Sequence, residues 1–214
     1  MTARGLRGTY RRMFKLYFSP GACSFSPHIV LREAGLPFEL EHVDLATRKT
    51  KSGADFLAVN PKGYVPTLQL ENGDILTEGA AIVQYLADQK PELNLAPPAG
   101  TMERYRLQEW LTFIASELHK GFGVLFTKAM PDEAKALGKA SLEKRFDYLA
   151  QKLEGQDYLM GAGFTVADAY LYNVLTWTAY VGMSLESRPV LAAYMARVGA
   201  RPAVQAAQAA EHAK

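Results

Sequence analysis

The feature that most limits how this chain can fold is a change of periodicity near residue 93. Up to residue 92, short apolar runs alternate between strand spacing and helix spacing; from Glu103 onward only helical spacing is found. The segment between them, residues 93–102 (LNLAPPAGTM), is a proline- and glycine-rich connection of the kind that separates domains. The chain therefore divides into an α+β unit over 13–92, a linker, and an all-helical unit over 103–214.

In the first unit, Phe14–Phe18 reads as a strand and Ser19-Pro20-Gly21 breaks it. A helix follows, with Ser24 or Ser26 as its cap and Pro27 near its first turn, and Gly35-Leu36-Pro37 ends it. Phe38–Val43 is a second strand, and Ala54–Val59 a weak short helix closed by Asn60-Pro61-Lys62-Gly63. Thr67–Leu70 and Ile75–Leu76 flank Asn72-Gly73, a hairpin signal, and Glu78–Gln89 is a helix. A βαβ unit followed by ββα gives a mixed four-stranded sheet in the thioredoxin-like arrangement. In the second unit helices are expected over about 103–129, 132–154, 166–182, 189–199 and 202–211, most restarting at or near a proline.

Charge and cysteine content narrow the function. The net charge is +2, but the first twelve residues hold four arginines and no acid; without them 20 basic residues face 22 acidic ones. The body is thus not basic, and no nucleic-acid partner is expected. Residues 1–12 are expected to be an unstructured leader: a basic targeting segment, an expression remnant, or the product of a start upstream of Met13. No run approaches the roughly 18 apolar residues of a membrane span, and the leader lacks the pattern of a secretory signal. With one cysteine there is no internal disulfide to form, so a cytoplasmic location is expected.

That cysteine, Cys23, lies between the first strand and the first helix. The free N–H groups and positive end of a helix favour a thiolate there, so its pKa is expected below the reference of about 8.5. Ser26 stands where a second cysteine of a C-x-x-C redox motif would sit. A thiolate without a resolving partner needs an outside thiol, and glutathione is the abundant one. The alternative is a buried, inert thiol. Pro66, at the start of the third strand, is either a trans turn residue or a cis proline that presents the backbone of Val65 to a bound peptide. Glu78 is either a first-turn helix stabiliser or the partner of a ligand ammonium beside a helix end that takes the carboxylate.

On the first long helix Leu107, Leu111, Ile114 and Leu118 share one face. Thr112, Ser116, His119 and Lys120 fall on the other, which is solvent-facing or, with Phe113 among them, a cleft or interface. Thr165 and Asp168 have capping-box spacing, a structural role. Phe122 and Trp177 are either core or the lining of an apolar pocket.

Together, Tyr17–Ser24 (YFSPGACS), Asn60–Pro66 (NPKGYVP), Leu76–Gly79 (LTEG), Ser116–Lys120 (SELHK) and Phe164–Asp168 (FTVAD) resemble the glutathione S-transferase superfamily. The cysteine and the His-Lys pair look like its bacterial beta class. The resemblance covers nearly the whole chain from Met13 and implies a homodimeric enzyme with glutathione as co-substrate and no metal. It implies catalytic roles for Cys23 and His119. It also implies a glutathione site of Ala22, Cys23, Tyr64, Val65, Pro66, Glu78, Gly79, His119 and Lys120, with Thr112 on the helix that reaches the partner's glutathione. Thr112 stands where an Asn is expected, and Gly79 where many relatives carry Ser. Phe122 and Trp177 would line the pocket of a small hydrophobic electrophile. The reactions implied are conjugation to that electrophile or, through Cys23, thiol-disulfide transfer or reductive dehalogenation; a non-catalytic binding role is the third reading.

Overall fold

The computed structural model describes residues 13–161 and 163–212; the expected leader, residues 1–12, lies outside them. The α+β unit contains β1 (Phe14–Phe18), α1 (Phe25–Glu33), β2 (Phe38–Asp44), β3 (Lys49–Thr50), β4 (Thr67–Gln69), β5 (Ile75–Thr77) and α2 (Gly79–Asp88). Strand order is β3-β2-β1-β4-β5. β1 runs parallel to β2, and the remaining pairs are antiparallel. The four expected strands are present, and the two-residue β3 extends the edge to give five. The short helix at Ala54–Val59 shrinks to a 3₁₀ turn, Phe56–Ala58, capped by the Asp55 carboxylate.

β1 is buried at four of its five positions because both of its faces are covered. α1 is covered all round: Phe25 through Leu31 are all buried. An amphipathic helix shows polar residues on one face; this one lies between the sheet and the helical unit, so even Ser26 and His28 are enclosed. Neither expected cap operates. The Ser24 hydroxyl bonds back to the Ser19 carbonyl, and the Ser26 hydroxyl to the Cys23 carbonyl.

The helical unit comprises α3 (Met102–Phe113), α4 (Lys120–Phe126), α5 (Asp132–Leu153), α6 (Val166–Thr176), α7 (Pro189–Gly199) and α8 (Pro202–His212). α3 and α4 are one continuous rod joined by a π-helical segment, Ile114–His119. The helix expected over 166–182 ends its α-helical part at Thr176 and continues as a 3₁₀ turn, Trp177–Val181. α6 is buried from Val166 through Leu175. α8 packs on α1, where the enclosed His28 Nδ1 meets Glu211 Oε1 at 3.0 Å and Arg32 Nε donates to His28 Nε2 at 2.9 Å. The linker is anchored as well: buried Arg104 donates to the Pro97 carbonyl and pairs with Asp88 of α2.

Asp168 starts α6 as the capping-box spacing predicts. Its carboxylate accepts from the Thr165 N–H and hydroxyl, the Leu159 N–H and the Tyr194 hydroxyl. All four donors are buried together with it. Asp168→Ala is therefore expected to cost on the order of 3 kcal/mol in urea unfolding. A loss under about 1 kcal/mol would show that the carboxylate does not organise this corner.

Candidate active site

The turn after β1 brings Cys23 to the junction of two cavities, and Ala22, Cys23 and His119 line both. The first cavity, of about 490 Å³, is walled by Tyr64, Val65, Pro66, Glu78, Gly79, Lys120 and Tyr170 among others. The Val65–Pro66 bond is cis, as one of the two sequence readings has it. Buried Asn60 holds this loop in place, donating to the Tyr64 carbonyl and to Thr67 Oγ1, each at 2.9 Å. Glu78 precedes α2 with a φ of 72°, a left-handed conformation that costs a non-glycine residue about 1–3 kcal/mol and recurs at ligand clamps. Its carboxylate meets Lys62 Nζ at 2.7 Å. Both side chains are more than half exposed, so the pair contributes little stability and a cationic ligand group can displace the lysine.

The second cavity, of about 540 Å³, adds Pro20, Gly21, Gly123, Phe126, Trp177 and Tyr180. Its wall is mostly apolar. Trp177 serves as expected, standing edge-on to His119 with ring centroids 4.9 Å apart. Phe122 does not: it is fully buried behind Trp177, and Phe126, one turn further along α4, takes the cavity wall instead. Gly123 lies on the same wall, where a Cβ would meet open space. Thr112 lines neither cavity; it is exposed on α3 and its hydroxyl bonds to the Gln108 carbonyl.

The protonation states differ from expectation. Cys23 retains some exposed surface, but its sulfur is deeply packed, and burial pushes the thiol up to about 11 against the pull of its own backbone N–H and Lys120. The helix end does not offset this because its donors are already engaged: the Phe25 N–H goes to the Ala22 carbonyl and the Ser26 N–H to Asn173 Oδ1. The Cys23 thiol itself donates to the Val65 carbonyl at 3.1 Å. The free protein thus holds a thiol at neutral pH, not a thiolate. Ser26 faces away from the cavities, fully buried.

His119 meets the Tyr170 hydroxyl through Nδ1 at 2.7 Å. Burial, reinforced by Lys120, pushes its imidazole down to about 4. It is neutral at every pH near 7. The sequence placed His119 on the polar stripe; the structure turns it inward. The sequence analysis assigns no site role to Tyr170, Lys62, Asn60, Phe126 or Tyr180. Tyr170 sits within a run that reads as core, and Lys62 and Asn60 enter only as members of the Asn60–Pro66 string.

The family model for the glutathione S-transferase N-terminal domain matches residues 21–89, and that for the C-terminal domain residues 113–202. Glutathione S-transferase GstA of Escherichia coli O157:H7 is 48% identical over 200 residues, spanning 94% of this chain and 100% of that protein. A sphingomonad glutathione S-transferase complexed with glutathione superposes with a TM-score of 0.91 at 50% identity, covering 94% of this chain and 100% of that one. The bacterial beta-class enzyme of Sphingomonas chungbukensis gives 0.90 at 49% identity, over 92% and 98%.

If burial sets the state of Cys23, its alkylation by iodoacetamide is expected to be slow at pH 7 and to rise about tenfold per pH unit until a midpoint near 11. A midpoint at or below the ordinary thiol value would show that a thiolate is stabilised after all.

Proposed function

The chain belongs to the glutathione S-transferase family, in its bacterial beta class, and on that premise we propose that it conjugates glutathione to small apolar electrophiles at the junction of its two cavities. The observation that carries this reading is the junction itself. A peptide-sized cavity that carries Lys62, Glu78 and Lys120 and a more apolar cavity share Ala22, Cys23 and His119. A thiol bound in the first is thereby presented to a carbon centre bound in the second, and holding two reactants so converts a bimolecular step into an effectively unimolecular one.

The glutathione backbone pairs with Val65 beside the cis proline, as an added strand does. Its γ-glutamyl ammonium displaces Lys62 from Glu78, and the adjacent carboxylate takes the first N–H groups of α2 at Gly79. Tyr64, Pro66 and Lys120 complete that wall. The glutathione sulfur lies near Cys23 and His119. There it transfers its electron pair to the electrophile and expels the leaving group, having given its proton to water or buffer. The electrophile rests on Trp177, Phe126 and Tyr180.

Cys23 is also proposed to form a mixed disulfide: its thiol displaces one glutathione from oxidised glutathione, leaving Cys23–S–S–glutathione and one free glutathione thiol. Because the resting thiol is protonated, thiol-disulfide transfer and reductive dehalogenation through Cys23 rank behind conjugation. The proposed assembly is a homodimer in the cytoplasm, with the exposed face of α3 that carries Thr112 directed at the partner's glutathione.

Two measurements test this. Intact mass after incubation with oxidised glutathione is expected to show one glutathione adduct on the wild type and none on Cys23→Ala; an unmodified wild type sinks the mixed-disulfide branch. In a 1-chloro-2,4-dinitrobenzene assay, Cys23→Ala is expected to retain conjugation within about tenfold. Glu78→Ala should raise the KM for glutathione by about 10- to 100-fold, the share of a charged hydrogen bond. Conjugation abolished in Cys23→Ala with its fold intact would move the chemistry onto the cysteine.

A further inference from the structure

His119 has two nitrogens with opposite circumstances. Nδ1 is held by the Tyr170 hydroxyl at 2.7 Å. Nε2 has no hydrogen-bond partner among the described residues, yet it is not a sealed-off orphan, since no buried side-chain nitrogen or oxygen in the described structure lacks a partner. It is therefore open to the cavities whose shared wall His119 forms.

The bond to Tyr170 runs in one of two directions. If Nδ1 carried the proton, the Tyr170 hydroxyl would accept, and its own proton would have no acceptor among the described residues, on a residue of the cavity wall that is only 4% exposed. A buried donor left unmade is costly. If Tyr170 donates, its proton is satisfied and the imidazole proton moves to Nε2, where the cavity receives it. We propose that Tyr170 is a positioning residue: by donating to Nδ1 it fixes His119 as the Nε2–H tautomer and makes it a neutral hydrogen-bond donor aimed into the cleft. Burial supports both halves of this arrangement. It pushes the Tyr170 hydroxyl up, so it keeps the proton it donates, and it pushes the imidazole down, so His119 stays neutral. Of the charged neighbours, Lys120 and Glu78 act with opposite sign on the imidazole, and Glu78 also pushes the Tyr170 hydroxyl up.

The role rests on the transferase reading. A neutral N–H beside Cys23 donates to sulfur as it gains negative charge, without the counter-charge that an imidazolium would bring. It is a donor pre-placed where charge develops. The tyrosine contributes through the histidine and need not touch the substrate.

The tautomer is directly observable. Long-range ¹H–¹⁵N spectra of the wild-type protein, with the His119 signals assigned by comparison with His119→Gln, are expected to show a pyrrole-type Nε2 and a pyridine-type Nδ1. The reverse pattern overturns the proposal, and since it is read on the wild type, no folding defect can obscure it. In Tyr170→Phe, which keeps the ring and loses the hydroxyl, the two nitrogens should move toward a mixed tautomer. The kcat for conjugation should fall about 3- to 10-fold, the share of one neutral hydrogen bond, with the KM for glutathione within about twofold. An unchanged tautomer in Tyr170→Phe also overturns it. Were the expected tautomer found in a protein with no conjugating activity, the functional reading would fail and the positioning of His119 would stand.

Discussion

The site depends on how the turn between β1 and α1 is tied to the other domain. Trp177 Nε1 donates to the Gly21 carbonyl at 2.9 Å, Asn173 Nδ2 to the Ala22 carbonyl at 3.3 Å, and the Gly21 N–H reaches Glu211 at 3.4 Å. Three residues of the helical unit thus hold the backbone beside Cys23. The turn is short and carries Gly21 at a φ of 72°, a conformation open to glycine at little cost. Without the helical unit neither cavity would have a second wall, and α1 would expose the residues it now encloses. The two units therefore form one active structure, and the linker that the sequence marks as a boundary is itself pinned by Arg104.

Enclosure then sets the chemistry. The same burial acts on two groups of opposite type: it favours neutral thiol over thiolate at Cys23 and neutral imidazole over imidazolium at His119. Neither group is charged in the resting site at neutral pH. A thiolate introduced by a ligand would thus meet hydrogen-bond donors rather than a fixed cation on either residue, and Lys120 supplies a positive charge that bears on the cysteine. Burial thus outweighs the helix end at Cys23, whose first N–H groups are also taken up by Asn173 and the Ala22 carbonyl.

Most of the fold could be read from the sequence because its signals are local. The Asn72-Gly73 turn, the prolines that restart helices, and the Thr165–Asp168 capping box all act within a few residues, and each lies where the pattern placed it. The α+β unit followed by a helical one was legible for the same reason. The cavities were legible in part. Cys23, Pro66, Glu78 and Trp177 sit at punctuation points or are unusual residue types, and they line the walls. Phe126 and Tyr180 do not stand out in sequence from Phe122, and only tertiary packing decides which aromatic faces the ligand. Tyr170 was hidden more thoroughly, since α6 is buried on every side and a tyrosine among its apolar residues reads as filling.

His119 shows why periodicity alone misplaces a site residue. Counting about 100° per residue puts it well away from the Leu107–Leu118 stripe. The rod does not keep that count, because Ile114–His119 is π-helical. A π segment accommodates one extra residue in the turn, which removes about 100° of accumulated rotation. Everything beyond it is turned back by one residue's worth. His119 accordingly swings toward α6, where Tyr170 and Trp177 receive it, while Leu118 and Phe122 on either side remain buried. The π segment is thus what lets a helix with an unbroken apolar stripe deliver a polar side chain to the cleft. A strictly α-helical rod would have to choose between packing its leucines and placing its histidine.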